Sequence, residues 1–161
     1  MAQGNSILVT GEPKGVYLDG IVSGTPKPGT LMELTSTAAV GGRFTYQVYQ
    51  PGTDGEQRAV IILLDNDLLG VPATTAYATG DRAKFYCPLP GEEVNVLAKN
   101  IGGTATGSGD SFAIADLLTV DTGTGKVIAT TGTPEMEPFQ VLETVAEITT
   151  DTLVHCMFTG R

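Results

Sequence analysis

The sequence predicts an all-β fold, a small barrel or sandwich with an extended N-terminal arm and little helix. Three observations predict it. Short apolar runs recur about every ten residues from Thr30 onward. Glycine-bearing turn signals separate them, among them PGTDGE, TGDR, LPGEE and TGTG. The chain also spreads 21 Gly and 9 Pro along its length while 41% of its residues stay hydrophobic, which fits many short strands rather than disorder.

The elements follow in order. Residues 1–29 carry Gly4, Gly11, Pro13, Gly15, Gly20, Gly24, Pro26, Pro28 and Gly29, a density that resists helix and long strand. Yet ILV (7–9) and VYLDGIV (16–22) are apolar clusters that a purely solvated tail would not need. The segment is therefore expected to be an arm that docks on something. Strands are expected at LMEL (31–34), FTYQVY (44–49), AVIILL (59–64), KFYC (84–87) and VNVLA (94–98). A second set is expected at LLTVD (117–121), KVIAT (126–130), FQVLE (139–143) and LVHCMF (153–158). Phe44, Tyr46 and Val48 fall on one face at period two, as in a half-buried strand. DNDLLG allows one helical turn, capped by Asp65 or Asn66, and PFQVLETVAEI fits either helix or strand. The β-domain is expected over 30–161, with a possible division into 30–99 and 112–161 around a Gly-rich loop at 100–111.

At 161 residues the chain suits one domain or a domain with an appendage. That length buries roughly 70% of the unfolded surface, so neither disulfide nor metal is required. Net charge is −9, from 18 acidic and 9 basic residues. Nucleic-acid binding rests on neutralising phosphates with Lys and Arg, so nucleic acid is an unsuited partner, and an anionic membrane surface is disfavoured for the same reason. No window approaches the roughly 18 apolar residues of a membrane helix. The start lacks a basic n-region and a long apolar core, so no signal peptide is expected and synthesis in a host cytoplasm is. Cys87 and Cys156 each sit in an apolar segment and read as buried free thiols.

Each stretch that resembles a catalytic motif has a simpler reading. LLTVDTGTGKVIA (117–129) contains Asp121-Thr122-Gly123, the form in which an aspartic protease presents its catalytic carboxylate. Such an enzyme needs two aspartates sharing a proton and particular residues after the glycine, whereas Thr124-Gly125-Lys126 follows here. Two strands flanking four turn residues, with two glycines able to take positive φ, describe a hairpin instead. TGTGK fails as a phosphate loop, because Val120 stands where the first glycine is needed and Val127 follows the lysine. His155 and Cys156 are strand neighbours on opposite faces and cannot act as base and nucleophile together. One His and two separated Cys give no zinc set. Asp65 and Asp67 begin like a calcium loop with Gly70 at its sixth position, but Ala76 stands where that loop requires a bidentate glutamate. Glu92-Glu93 and Glu135/Glu137 read as solvated loops. No cofactor is expected.

The segment PKPGTLMELTSTAAVGGRFTYQVYQPGTDGEQRAVIILL (26–64) resembles the head decoration, or cement, proteins of tailed bacteriophages. The residues that carry the resemblance are Pro28, Leu31 and Met32, then Asp54 and Gly55, then Ala59, Val60, Ile62 and Leu63. Ile61 stands where that family has a glycine, and one extra residue separates turn from strand. The resemblance covers about a quarter of the chain well. It implies a small β-tulip-like domain and a structural, non-enzymatic protein on the outer capsid surface of a virion. There it would bridge and stabilise major capsid protein subunits, commonly as a homotrimer. The arm would add main chain to a sheet edge of the shell, with Ile7, Leu8, Val9, Val16, Tyr17 and Leu18 filling pockets. Two other readings stay open: another phage structural part, such as a spike, head-fibre or tail module, and a small hydrolase using Cys87 or Asp121.

Overall fold

The computed structural model describes residues 7, 13–35, 41–50, 59–65, 73–99, 111–121, 123–130, 138–146, 148 and 150–160. Among these are ten strands and no helix: β1 Val16–Val22, β2 Leu31–Leu34, β3 Phe44–Val48, β4 Ile61–Leu63, β5 Arg82–Cys87, β6 Glu93–Ala98, β7 Leu117–Val120, β8 Val127–Ala129, β9 Phe139–Val141 and β10 Thr152–Phe158. Each of the nine expected strands is present, with ends shifted by a residue or two. The all-β expectation holds, as two closed barrels rather than one.

The first barrel runs β1-β3-β2-β4-β5 and closes β5 back on β1. The second runs β10-β6-β8-β7-β9 and closes β9 on β10. Each contains one parallel pair, β1 with β3 and β6 with β8, and is otherwise antiparallel. Closure pairs the outer strands with each other and so removes free sheet edges.

The unbroken apolar run at β4 is explained by burial on both faces. Ile61 and Leu63 point into the first barrel, with Met32, Tyr46, Ala83 and Phe85. Ile62 points outward beside its cross-strand partners Leu31 and Tyr86. These three join one apolar cluster with Val94, Val96, Phe139, Val154 and Phe158 of the second barrel. A strand buried on both sides cannot alternate, so it reads as continuous Val, Ile and Leu. The second barrel is filled by alternate residues of β6, β7, β9 and β10, including Leu118, Val141 and Cys156.

The seam between the barrels is also hydrogen-bonded. Along β6, the amides of Asn95 and Leu97 donate to the carbonyls of Ile7 and Gly29 at 2.8 and 2.9 Å, and just past it the Lys99 amide donates to Val127 of β8 within the second barrel at 3.0 Å. Only Ala98–Val127 pairs β6 with β8, so chain from the N-terminal third completes that wall. From the other side, the Leu31 amide donates to the Gly125 carbonyl at 2.7 Å. Two glycines make this close approach possible. Gly29 has φ +84, and a Cβ there would lie 2.6 Å from Leu153 Cδ2. Gly125 has φ +62, and a Cβ there would run into the Leu31 carbonyl oxygen and lie 2.9 Å from Thr30 Cγ2. Side chains are disfavoured at both on conformation and on space.

Two expectations are corrected. The extended arm of residues 1–29 does not run free to residue 29: Val16–Val22 is a wall of the first barrel, with its main chain committed to β3 and β5. Its alternation was masked by Gly20 and by an exposed first turn of the strand. The division at 100–111 falls elsewhere, because β6 belongs to the second barrel and the crossing is the Pro-Gly turn between β5 and β6. Of that Gly-rich loop, all but Ser111 lies outside the described residues. PFQVLETVAEI, open to either helix or strand in the sequence, is strand at Phe139–Val141 with a bridge at Val145 to Phe112. The expected helical turn at 65–70 lies outside the described residues beyond Asp65.

Candidate functional site

The residues with nucleophile or acid chemistry are used structurally. Asp121 ends β7, and its backbone amide donates to the Lys126 carbonyl at 2.7 Å, closing the hairpin. Its carboxylate accepts from Lys99 Nζ at 2.9 and 3.0 Å and from the Thr124 hydroxyl. Held by Lys99 and Thr124 between two paired strands, the carboxylate closes the turn, so the hairpin reading stands. Cys87 and Cys156 are free thiols, as expected, and Cys156 is fully buried while Cys87 is partly so. Burial pushes both thiols up, with the Glu143 carboxylate adding to the effect at Cys156. A thiol held protonated is a poor nucleophile. His155 Nε2 lies 3.0 Å from Glu93 Oε2 on the outer face of the second barrel, while Cys156 points inward. Among the described residues, no three of His, Cys, Asp and Glu come together to hold a metal ion.

A cleft of about 260 Å³ opens at the seam, lined by Thr25, Lys27, Thr30, Val48, Lys126 and Asp151 among others. Lys126 and Asp151 are already paired across it at 2.5 Å, so its walls hold their own charges.

The surface is more informative. Among the described residues, Val16, Tyr17, Leu34, Phe44, Leu89 and Ile114 are the large apolar side chains left exposed. Five of the six gather at one end of the first barrel. The reason is register. The alternation that points Met32 and Tyr46 inward sends Leu34 and Phe44 the same way, one step beyond the packed interior. Val16 stands opposite Cys87 at the same end, and Leu89 lies just past Cys87. The opposite end of this barrel, at Leu31 and Val48, is closed by Gly125 of the second barrel. What remains open is therefore an apolar rim.

Polar groups around the rim are firmly held. Arg82 donates two hydrogen bonds to Asp19, and Arg43 lies 3.5 Å from the same carboxylate. The Arg82 hydrogen bonds, aided by the charges of both guanidiniums, lower the Asp19 pKa to about 2. Glu92 Oε1 accepts from the Tyr86 hydroxyl and the Gly15 and Lys14 amides, and Oε2 accepts from the Leu89 amide. Burial pushes Glu92 up, but these donors outweigh it and hold the carboxyl below its usual range. Burial and the Glu92 hydrogen bond raise Tyr86 to about 12. Tyr17 leans on Tyr86 with ring centroids 5.0 Å apart.

The six residues expected to contact a shell fare differently. Ile7 is fully buried in the core that spans the seam. Leu8 and Val9 lie outside the described residues. Val16 and Tyr17 are exposed on β1, and Leu18 is half-buried, packed on the first-barrel core. Leu34, Phe44 and Leu89 were missed, because a strand pattern shows which residues share a face but not where the barrel ends.

No protein-family model matches the chain, and no curated protein sequence matches it. Among solved structures, the fold is similar to the head fiber gp8.5 N base of bacteriophage phi29. The TM-score is 0.54 at 12% identity, over 90% of this chain and 94% of that one. At this identity the likeness is one of fold.

Proposed function

We propose that this chain is a structural, non-enzymatic module of a phage virion, the base of a head-attached fibre or spike. The observation that supports it is the end-to-end likeness to the phi29 head-fibre base, in which nearly the whole of both chains is covered. A likeness that covers 90% of this chain, and so spans both of its barrels, supports a shared architectural role better than one barrel would, since small barrels serve many functions. The internally satisfied Asp121 and Glu92 and the buried Cys156 agree with a part that binds rather than reacts.

On this reading the protein sits on the outer surface of the head and contacts the major capsid protein. Of the residues expected to touch the shell, Leu8, Val9, Val16 and Tyr17 remain the proposed contacts, with Ile7 instead tying the N-terminal segment to β6. Residues 16–18 already pair with β5 along one edge, and the β3 pairing on the other begins at Gly20, so strand addition to the shell by these residues would use that other edge.

The decoration reading has one observation in its favour, the resemblance of residues 26–64, which form β2, β3 and β4 of the first barrel. Copy number separates the two. Purified chain is mixed with heads of the phage that encodes it, pelleted, and counted per particle, with immunogold labelling of the same heads. A few copies at discrete positions support the fibre base, and full coverage of the shell supports decoration. A chain that stays in the supernatant, with unlabelled virions, overturns both.

A further inference from the structure

The cleft at the seam has no part in attachment to a head. Its walls come from both barrels: Lys27 and Thr30 between β1 and β2, Val48 at the end of β3, Thr124 and Lys126 in the β7–β8 hairpin, and Asp151 just before β10. Its volume of about 260 Å³ falls just under the roughly 300 Å³ at which pockets for drug-sized ligands begin, so it admits one small ring. Charge decides the class of ligand. Lys126 and Asp151 neutralise each other at 2.5 Å. The chain carries −9 overall, and residues 88–161 alone hold ten acids against three bases. A free anion is repelled by that field, and a cation finds the carboxylate of the cleft already paired. A neutral, hydrogen-bonding ligand meets neither obstacle.

The polar groups suit hydroxyls. Lys126 has three ammonium hydrogens and gives one to Asp151, whose ionised carboxylate accepts about four hydrogen bonds. A hydroxyl donates and accepts at once, so it can bond to both members of that ion pair. Thr30 is 2% exposed, and its Oγ1 has no hydrogen-bond partner among the described residues. A buried hydroxyl without a partner is costly, and a ligand hydroxyl reaching it removes that cost. Pro26 and Val48 add apolar surface for the C–H face of a ring.

We propose that this cleft binds a monosaccharide unit, with its hydroxyls on the Lys126–Asp151 pair and Thr30 and one ring face on Val48. The sugar touches both barrels, so its binding holds the seam together. It comes either as a free sugar or as the terminal unit of a glycan. The inference stands apart from head attachment, since it concerns the chain alone.

The test titrates the full, nitrogen-15-labelled chain with glucose, galactose and N-acetylglucosamine, each as the free sugar and as its methyl glycoside. Sodium acetate and inorganic phosphate serve as anionic controls. At least one sugar is expected to shift the amides of Thr30, Thr124 and Lys126 saturably, with a millimolar Kd, and to raise the thermal midpoint. A methyl glycoside that binds as well as its parent identifies the end of a glycan as the source, and binding of the free sugar alone identifies a soluble one. Thr30→Val keeps the shape and removes a hydroxyl without a partner in the protein, so the midpoint should hold while binding weakens about three- to tenfold. Asp151→Asn, checked for folding by circular dichroism, should weaken binding by about tenfold. The absence of a saturable shift at these amides with every sugar overturns the proposal. So does acetate or phosphate binding there more tightly than any sugar, or Thr30→Val binding like the wild type. Head binding in the pelleting experiment is read separately and fails or succeeds without regard to these titrations.

Discussion

The first barrel and the second each close five strands around an apolar interior and each contain one parallel pair, but their surfaces diverge. The first is near neutral, leaves an apolar rim open at one end, and has the other end stopped by Gly125. The second is strongly acidic and borrows wall from Ile7 and Gly29. Closing a barrel satisfies backbone and core alike, which leaves ends and outer faces as the places where two such units can differ. Here one barrel's outer face became core, and its far end became surface.

The largest effects come from breaking either interior. Phe85→Ala and Phe139→Ala each empty a fully buried site and should cost about 3–5 kcal/mol. For a chain of this size that lowers the midpoint by about 10 °C. The shared cluster of Ile62, Leu31 and Tyr86 with the second barrel predicts one calorimetric transition in both variants. Two transitions, only one of them shifted, would show that the barrels fold independently.

The seam comes next. Gly125→Ala puts a Cβ against the Leu31 carbonyl at positive φ and should cost about 1–3 kcal/mol. Gly123→Ala, also at positive φ but in open space, serves as the control and should cost less. Equal losses would mean that backbone conformation alone matters, not the contact between barrels.

At the rim, Tyr86→Phe leaves Glu92 and the Gly15 amide without the hydroxyl and should cost about 1–3 kcal/mol. The Tyr86 pKa is raised in the folded chain, so its contribution is complete below the ordinary tyrosine value near 10. It is lost as pH climbs toward about 12. Urea melts over that alkaline range should show a decline in wild type that Tyr86→Phe flattens.

Smallest is Asp19→Asn. The Asp19 pKa is lowered to about 2, so its contribution is present above 3.8 and fades as pH falls through about 2. Because the pair is exposed, the loss should be slight and should shrink further in salt. A large loss at neutral pH would mean that the Arg82–Asp19–Arg43 group organises the rim rather than decorating it.

Much of the fold was legible in the residues. Met32, Tyr46 and Phe85 mark strands by alternation, and TGTG marks a hairpin by its glycines. β1 was not, because Gly20 and the exposed Val16 and Tyr17 hide its alternation, and proline and glycine on either side suggest irregular chain. PFQVLETVAEI suits helix locally, but β10 and β7 offer Phe139–Val141 two partners, and pairing overrides propensity. Of the candidate site, Val16 and Tyr17 were anticipated as exposed contacts, although as parts of an arm. Leu34 and Phe44 were anticipated only as strand.

What the sequence settled by itself are the properties that depend on near neighbours: strand positions, turns and the hairpin at Asp121. Tertiary structure alone decided which strands close with which, that Ile62 faces another barrel and Phe44 faces water, and that Ile7 completes a wall around β6. Those outcomes rest on contacts between residues tens of positions apart, and a period of two reads the same whether the face it marks meets a core, a seam or an open end.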